Sequence, residues 1–87
     1  MKDEKDLQII QKVLNGEVSA FAELVDRYKD MVFTLIVRIC GQREEAEELA
    51  QDTFVKIYRS LESFRGQSKV STWIYRIARN TAISAIR

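Results

Sequence analysis

The residues best suited to chemistry with a partner are Arg65, Lys69, Arg76, Arg79, Asn80 and Arg87, all in the C-terminal third. Arginine and lysine side chains spaced along a helix can follow a phosphate backbone, and an asparagine amide can bond a base edge. At about 100° per residue, Thr72, Arg76, Arg79, Asn80, Ile83 and Arg87 fall on one helix face. Trp73 stands at the border of that face and Tyr75 on the opposite flank. An aromatic ring beside a basic face gives an unpaired base something to stack on. The plainer alternatives are that Trp73 packs in the core and that Arg76 and Arg79 are a solvated helix face.

Charge distribution supports a partner at this end. Residues 1–55 carry seven Lys/Arg against twelve Asp/Glu, whereas residues 56–87 carry seven Lys/Arg against Glu62 alone. A split of this kind implies two surfaces with different partners, one of them nucleic acid.

Catalysis is poorly provided for. The chain has no histidine and a single cysteine, Cys40, which excludes the usual zinc sites, serine–histidine and cysteine–histidine nucleophiles, and an internal disulfide. Cys40 lies in an apolar stretch and reads as a small core residue. Nothing pairs two carboxylates in a way that would raise the pKa of one against the other. No metal, cofactor or enzymatic activity is expected. No apolar run is long enough to cross a bilayer and no signal-peptide pattern is present, so membrane insertion is not expected and a cytoplasmic location is.

The elements that must position these residues are helices. There is no proline, and Gly16, Gly41 and Gly66 separate segments of helical periodicity. The spacing predicts a compact all-α bundle of about four helices, forming one domain over 87 residues. The first covers about 4–14, with Leu7, Ile10, Val13 and Leu14 as its apolar positions. The second starts at Ser19 as N-cap and runs to about Cys40 on a stripe that includes Phe21, Leu24, Tyr28, Val32, Ile36 and Ile39. Phe33 and Val37 project from its other side, so its C-terminal half must be covered twice, by the fold or by a partner. The third, about 43–60, opens acidic and ends basic, as the helix dipole favours, over a core stripe of Ala46, Leu49, Ala50, Thr53, Phe54, Ile57 and Leu61. Its outward stripe is Glu48, Gln51, Asp52, Val55 and Arg59, one valine ringed by polar groups, which suits a protein contact as well as a plain solvated face. A polar, basic loop around Gly66 leads to the fourth, about 71–87, with core positions Val70, Ile74, Ile77, Thr81 and Ala85.

Several segments together resemble region 2 of the extracytoplasmic-function (ECF) sigma factors of bacterial RNA polymerase. They are Gly16-Glu17, Ala20-Phe21, Leu24-Val25-Asp26-Arg27-Tyr28, Ala46 to Phe54 (Ala-Glu-Glu-Leu-Ala-Gln-Asp-Thr-Phe), Phe64-Arg65-Gly66 and Thr72 to Asn80. The resemblance implies that the third helix docks on the β′ clamp helices of the polymerase core through Glu48, Gln51, Asp52 and Phe54, with Tyr58 as a lesser contact. It implies that the loop and fourth helix bind the non-template strand of the promoter −10 element. An extruded base would sit in a pocket formed by Arg65, Gln67, Ser68, Lys69 and Val70, with Thr72, Trp73, Arg76, Arg79 and Asn80 beside it. Primary sigma factors have two adjacent tryptophans where this chain has Trp73-Ile74, which favours the ECF class. Full members of the family continue to a second helical domain that reads the −35 element, so residues 1–87 are expected to be a single region 2 domain lacking that reader. An anti-sigma factor is a further expected partner. Two rivals stay open: an interaction module held by an anti-sigma factor through the Phe33 and Val37 flank without DNA binding of its own, and a duplex-binding helix-turn-helix.

Overall fold

The computed structural model describes residues 2–87, with side chains from Asp3 onward. The glycine and apolar spacing divides the chain as expected: α1 is Lys2–Leu14, α2 Phe21–Cys40, α3 Arg43–Ser60 and α4 Val70–Ile86. Short 3-10 turns at Val18–Ala20 and Leu61–Ser63 precede α2 and follow α3, and no strand occurs among the described residues. Gly41 closes α2 in the left-handed conformation at φ 80°, and its N–H donates to the Val37 carbonyl at 2.8 Å. Ser19 does not cap α2. It lies inside the first 3-10 turn, whose backbone bonding, Ala20 N–H to Glu17 O at 3.0 Å, leads into the helix without a side-chain cap.

The centre of the bundle is the α2 stripe Leu24, Tyr28, Val32 and Ile36, buried where α2 packs against both α3 and α4. Thr53 and Ile57 come to this core from α3, and Val70, Ile74 and Ala78 from α4. Each large aliphatic side chain sealed here is worth about 1.5–3 kcal/mol relative to exposure. Leu49, Ala50 and Phe54 are only half-buried, at the margin of the α3 stripe. Phe33 and Val37 are half-buried by the fold, with the Arg43 guanidinium 5.1 Å above the Phe33 ring, a cation–π contact that covers part of the apolar flank.

Two core assignments change. On α4 the buried positions are Val70, Ile74, Ala78, Thr81 and Ala82, whereas Ile77 is half-buried and Ala85 exposed. Alanines at 78 and 82 let the neighbouring helices approach closely, and residues 84–87 are exposed. On α1 the buried side is Asp6, Ile9, Ile10 and Val13, while Leu7 and Leu14 are exposed.

The burial of Asp6 is made possible by α2. Arg27 Nε donates to Asp6 Oδ1 at 2.7 Å, and the Tyr28 hydroxyl donates to Asp6 Oδ2. Burial, reinforced by the adjacent carboxylate, pushes the Tyr28 pKa well above the ordinary tyrosine value, so its proton stays in place as a donor. The triad joins α1 to α2 at the point where apolar packing alone would leave a carboxylate without water.

Candidate nucleic-acid and partner interfaces

Arg76, Arg79 and Asn80 are exposed on α4, opposite its buried stripe. Arg65 and Lys69, in the loop just before the helix, are exposed as well. Among the described residues, none of Arg65, Lys69, Arg76 and Arg79 is ion-paired with a carboxylate. Cations in this state keep their full attraction for a phosphate, because no internal pair must be broken first. Lys56 is a different case: its ammonium donates to Thr81 Oγ1 at 3.2 Å and ties α3 to α4.

The loop is shaped from both ends and from within. Phe64 is buried and packs against the Trp73 ring at a centroid distance of 4.8 Å and an interplanar angle of 44°. Gly66 takes φ 75°, a conformation that disfavours any residue with a Cβ. The Arg65 N–H donates to Gln67 Oε1 at 2.8 Å, and the Ser68 hydroxyl donates to the Lys69 carbonyl at 3.1 Å. Gln67 is therefore engaged in holding the turn, while its amide nitrogen can still serve a ligand. Trp73 and Thr72 are half-buried, so part of each residue stays exposed at the start of α4.

Val70 departs from expectation. Its side chain is fully buried in the core, and its backbone N–H donates to Asp3 Oδ1 at 2.8 Å. As the first residue of α4 it sits beneath the loop, so it supports the loop from inside and its side chain does not line a surface pocket.

On α3, Glu48, Gln51, Asp52, Val55 and Arg59 are all exposed, with Val55 at 46% the apolar centre of the stripe. Tyr58 is 43% exposed and meets the Phe21 ring edge-on at 5.1 Å. Gln51 and Phe54 are drawn to one side, where they line an open groove of about 450 Å³ between α3 and α2 together with Phe33 and Arg43. Glu48 and Asp52 do not line that groove, and Tyr58 lines a separate depression with Leu14, Arg59 and Glu62, so the five expected contacts do not share one groove. Reasoning from sequence missed the groove because its α2 wall, Val25, Lys29, Asp30 and Phe33, mixes types that a periodicity search assigns to different faces.

Residues 24–87 match the sigma-70 region 2 family, and the chain belongs to it. Several of its relatives are ECF sigma factors. It is 45% identical over 78 residues to the ECF RNA polymerase sigma factor SigW of Bacillus subtilis, covering 90% of this chain and 42% of that protein. It is 44% identical over 82 residues to the RNA polymerase sigma-H factor of Pseudomonas aeruginosa (94% and 42%), and 42% identical over 77 residues to the ECF sigma-E factor of Escherichia coli K12 (88% and 40%). The chain thus spans about two-fifths of the length of these relatives. Among solved structures, an engineered region 2 of sigmaE in complex with GTAAAA superposes with a TM-score of 0.86 at 38% identity, over 93% of this chain and 84% of that one.

Proposed function

We propose that the chain recognises and helps open the promoter −10 element by capturing its non-template strand, while α3 docks on the β′ clamp helices of the RNA polymerase core. The observation that carries the DNA half is the row Arg76, Arg79 and Asn80, exposed and without carboxylate partners among the described residues, beside an aromatic-anchored basic loop. The likeness to a sigmaE region 2 in complex with GTAAAA supports the same assignment. A cytoplasmic location follows from a role at the polymerase.

The chain brings no nucleotide-driven motor to this task, so strand opening draws on binding energy. Unstacking a base costs a few kcal/mol, which stacking, phosphate contacts and base-edge bonds in the loop and on α4 must offset. In this scheme Arg65 and Lys69 attract the strand, Gln67 and Ser68 offer hydrogen bonds to a flipped base, and Asn80 reads an adjacent one. Trp73, partly covered by Phe64, provides one stacking edge.

The decisive measurement is the affinity for single-stranded GTAAAA against the same sequence as duplex, at roughly 50 and 200 mM salt. The expected result is a preference for the single strand and a marked weakening with salt. A second reading, in which an anti-sigma factor holds the chain through the groove beside Phe33 and no DNA is bound independently, has the openness of that groove in its favour. It predicts no binding to either form.

A further inference from the structure

The loop before α4 contains few bonds that fix it to the rest of the molecule. Its own bonds are local: Arg65 to Gln67, and Ser68 to Lys69. What anchors it are its two ends. At the first end, Phe64 is buried against Trp73, and its N–H donates to the Leu61 carbonyl at 3.2 Å. At the second end, α4 begins after Lys69 with no side-chain cap from its own neighbourhood. The cap comes from the other end of the chain, where Asp3 in the first turn of α1 accepts the Val70 N–H at 2.8 Å.

A carboxylate at this place acts in two ways. It satisfies one of the N–H groups that every helix leaves open at its start, and its charge opposes the positive end of the helix dipole. It also occupies the Val70 N–H, so a bound strand there must be held by side chains and not by that backbone group. Asp3 lies outside residues 24–87, the segment that matches the family.

We infer that Asp3 is a positioning residue for base reading: it acts through Val70 to set the height and direction of the Arg65–Lys69 loop over α4. The inference rests on the assignment of this loop and α4 to DNA. Reading a base edge demands hydrogen-bond geometry, whereas attraction of phosphates by exposed cations tolerates displacement. Loosening the second anchor therefore costs discrimination more than it costs overall attraction.

The test compares the 87-residue chain with Asp3→Ala and Asp3→Asn, using GTAAAA and its single-base variants as probes. In the parent, the affinities differ among the strands. In Asp3→Ala the spread should shrink by about three- to tenfold, with an unchanged salt slope. In Asp3→Asn most of it should return, because the amide oxygen still accepts the Val70 N–H. Ile10→Val, which trims the core on α1 away from the loop, serves as a stability control and should leave the spread intact. Amide exchange gives a readout free of DNA: Val70 and the loop should exchange faster in Asp3→Ala, while the interior of α2 does not change.

Two results overturn the inference while sparing the DNA assignment. One is an Asp3→Ala spread equal to the parent's; the other is a loss of spread that Ile10→Val reproduces at matched stability. A parent chain that binds none of the strands overturns the DNA assignment, and one that binds every strand equally overturns base reading by this surface; Asp3's role in reading falls with either.

Discussion

Arg27 and the pair Arg76 and Arg79 are the same residue type on neighbouring helices, yet they do opposite work. Arg27 on α2 faces a carboxylate on α1 that is 1% exposed, and the two form a contact of 2.7 Å at the edge of the core. Arg76 and Arg79 on α4 face solvent, and among the described residues no acid answers them. The difference lies in what the adjoining element supplies. Where α1 brings Asp6, the arginine and Tyr28 become part of the architecture. Where the surroundings hold Glu62 as the only acid after residue 55, the arginines remain available to a molecule that carries its own negative charge. A low-dielectric setting makes the first pairing obligatory, and water makes the second cation inexpensive to leave open.

Removing Asp6 should break the architectural side of this contrast, with the largest effect expected of any substitution discussed here. Asp6→Ala leaves the Tyr28 hydroxyl without the Asp6 acceptor and removes the Asp6 contact of Arg27. Because the Arg27 side chain is 27% exposed and can turn to water, the cost should be about 2–4 kcal/mol, below that of a fully sealed pair. Urea denaturation measures it. A loss under about 1 kcal/mol would mean that the triad is incidental and that α1 is held mainly by the packing of Ile9, Ile10 and Val13.

Asp6 also marks where sequence reasoning stops. The glycine positions and three- to four-residue spacing gave four helices close to their observed limits, since a helix buries a stripe and its ends need residues that tolerate the left-handed conformation. They also placed Arg76, Arg79 and Asn80 on an outward face, because that face is simply what the core stripe leaves over. Asp6 falls on the same stripe as Ile9, Ile10 and Val13, but a carboxylate reads as solvent-facing until a partner 21 residues away is seen. Asp3 is harder still, since its target lies 67 residues along the chain. Ala78 and Ala82 were missed for another reason: alanine is buried where helices come close, and closeness is a property of the packed bundle. Val70 shows the reverse case, in which a position assigned to a surface pocket from its place in a motif has its side chain sealed in the core.

On the open side of the contrast, Asn80→Ala should leave stability within about 0.5 kcal/mol of the parent, since the side chain is exposed. Its effect should fall on binding, at about 1–3 kcal/mol for the preferred base and much less for the others. Titrations against single-base variants of GTAAAA separate the two. A uniform loss across all strands would reassign Asn80 to the sugar–phosphate backbone and would leave base discrimination to the loop.

The smallest effects are expected on α3, where the proposed contact is with a protein and not a nucleic acid. Gln51 and Asp52 are adjacent and exposed, but only Gln51 borders the groove that also holds Phe54 and Phe33. Gln51→Ala and Asp52→Ala should both retain full helicity by circular dichroism, and each should weaken binding to the isolated β′ clamp helices by about two- to fivefold. They should differ in kind. Asp52, a charge at the rim, should slow association and lose its effect in high salt, because screening weakens an exposed charge. Gln51, at the lip of a partly apolar groove, should speed dissociation and keep its effect in salt. Equal salt dependence would place both residues at the rim and move the centre of the contact to Val55.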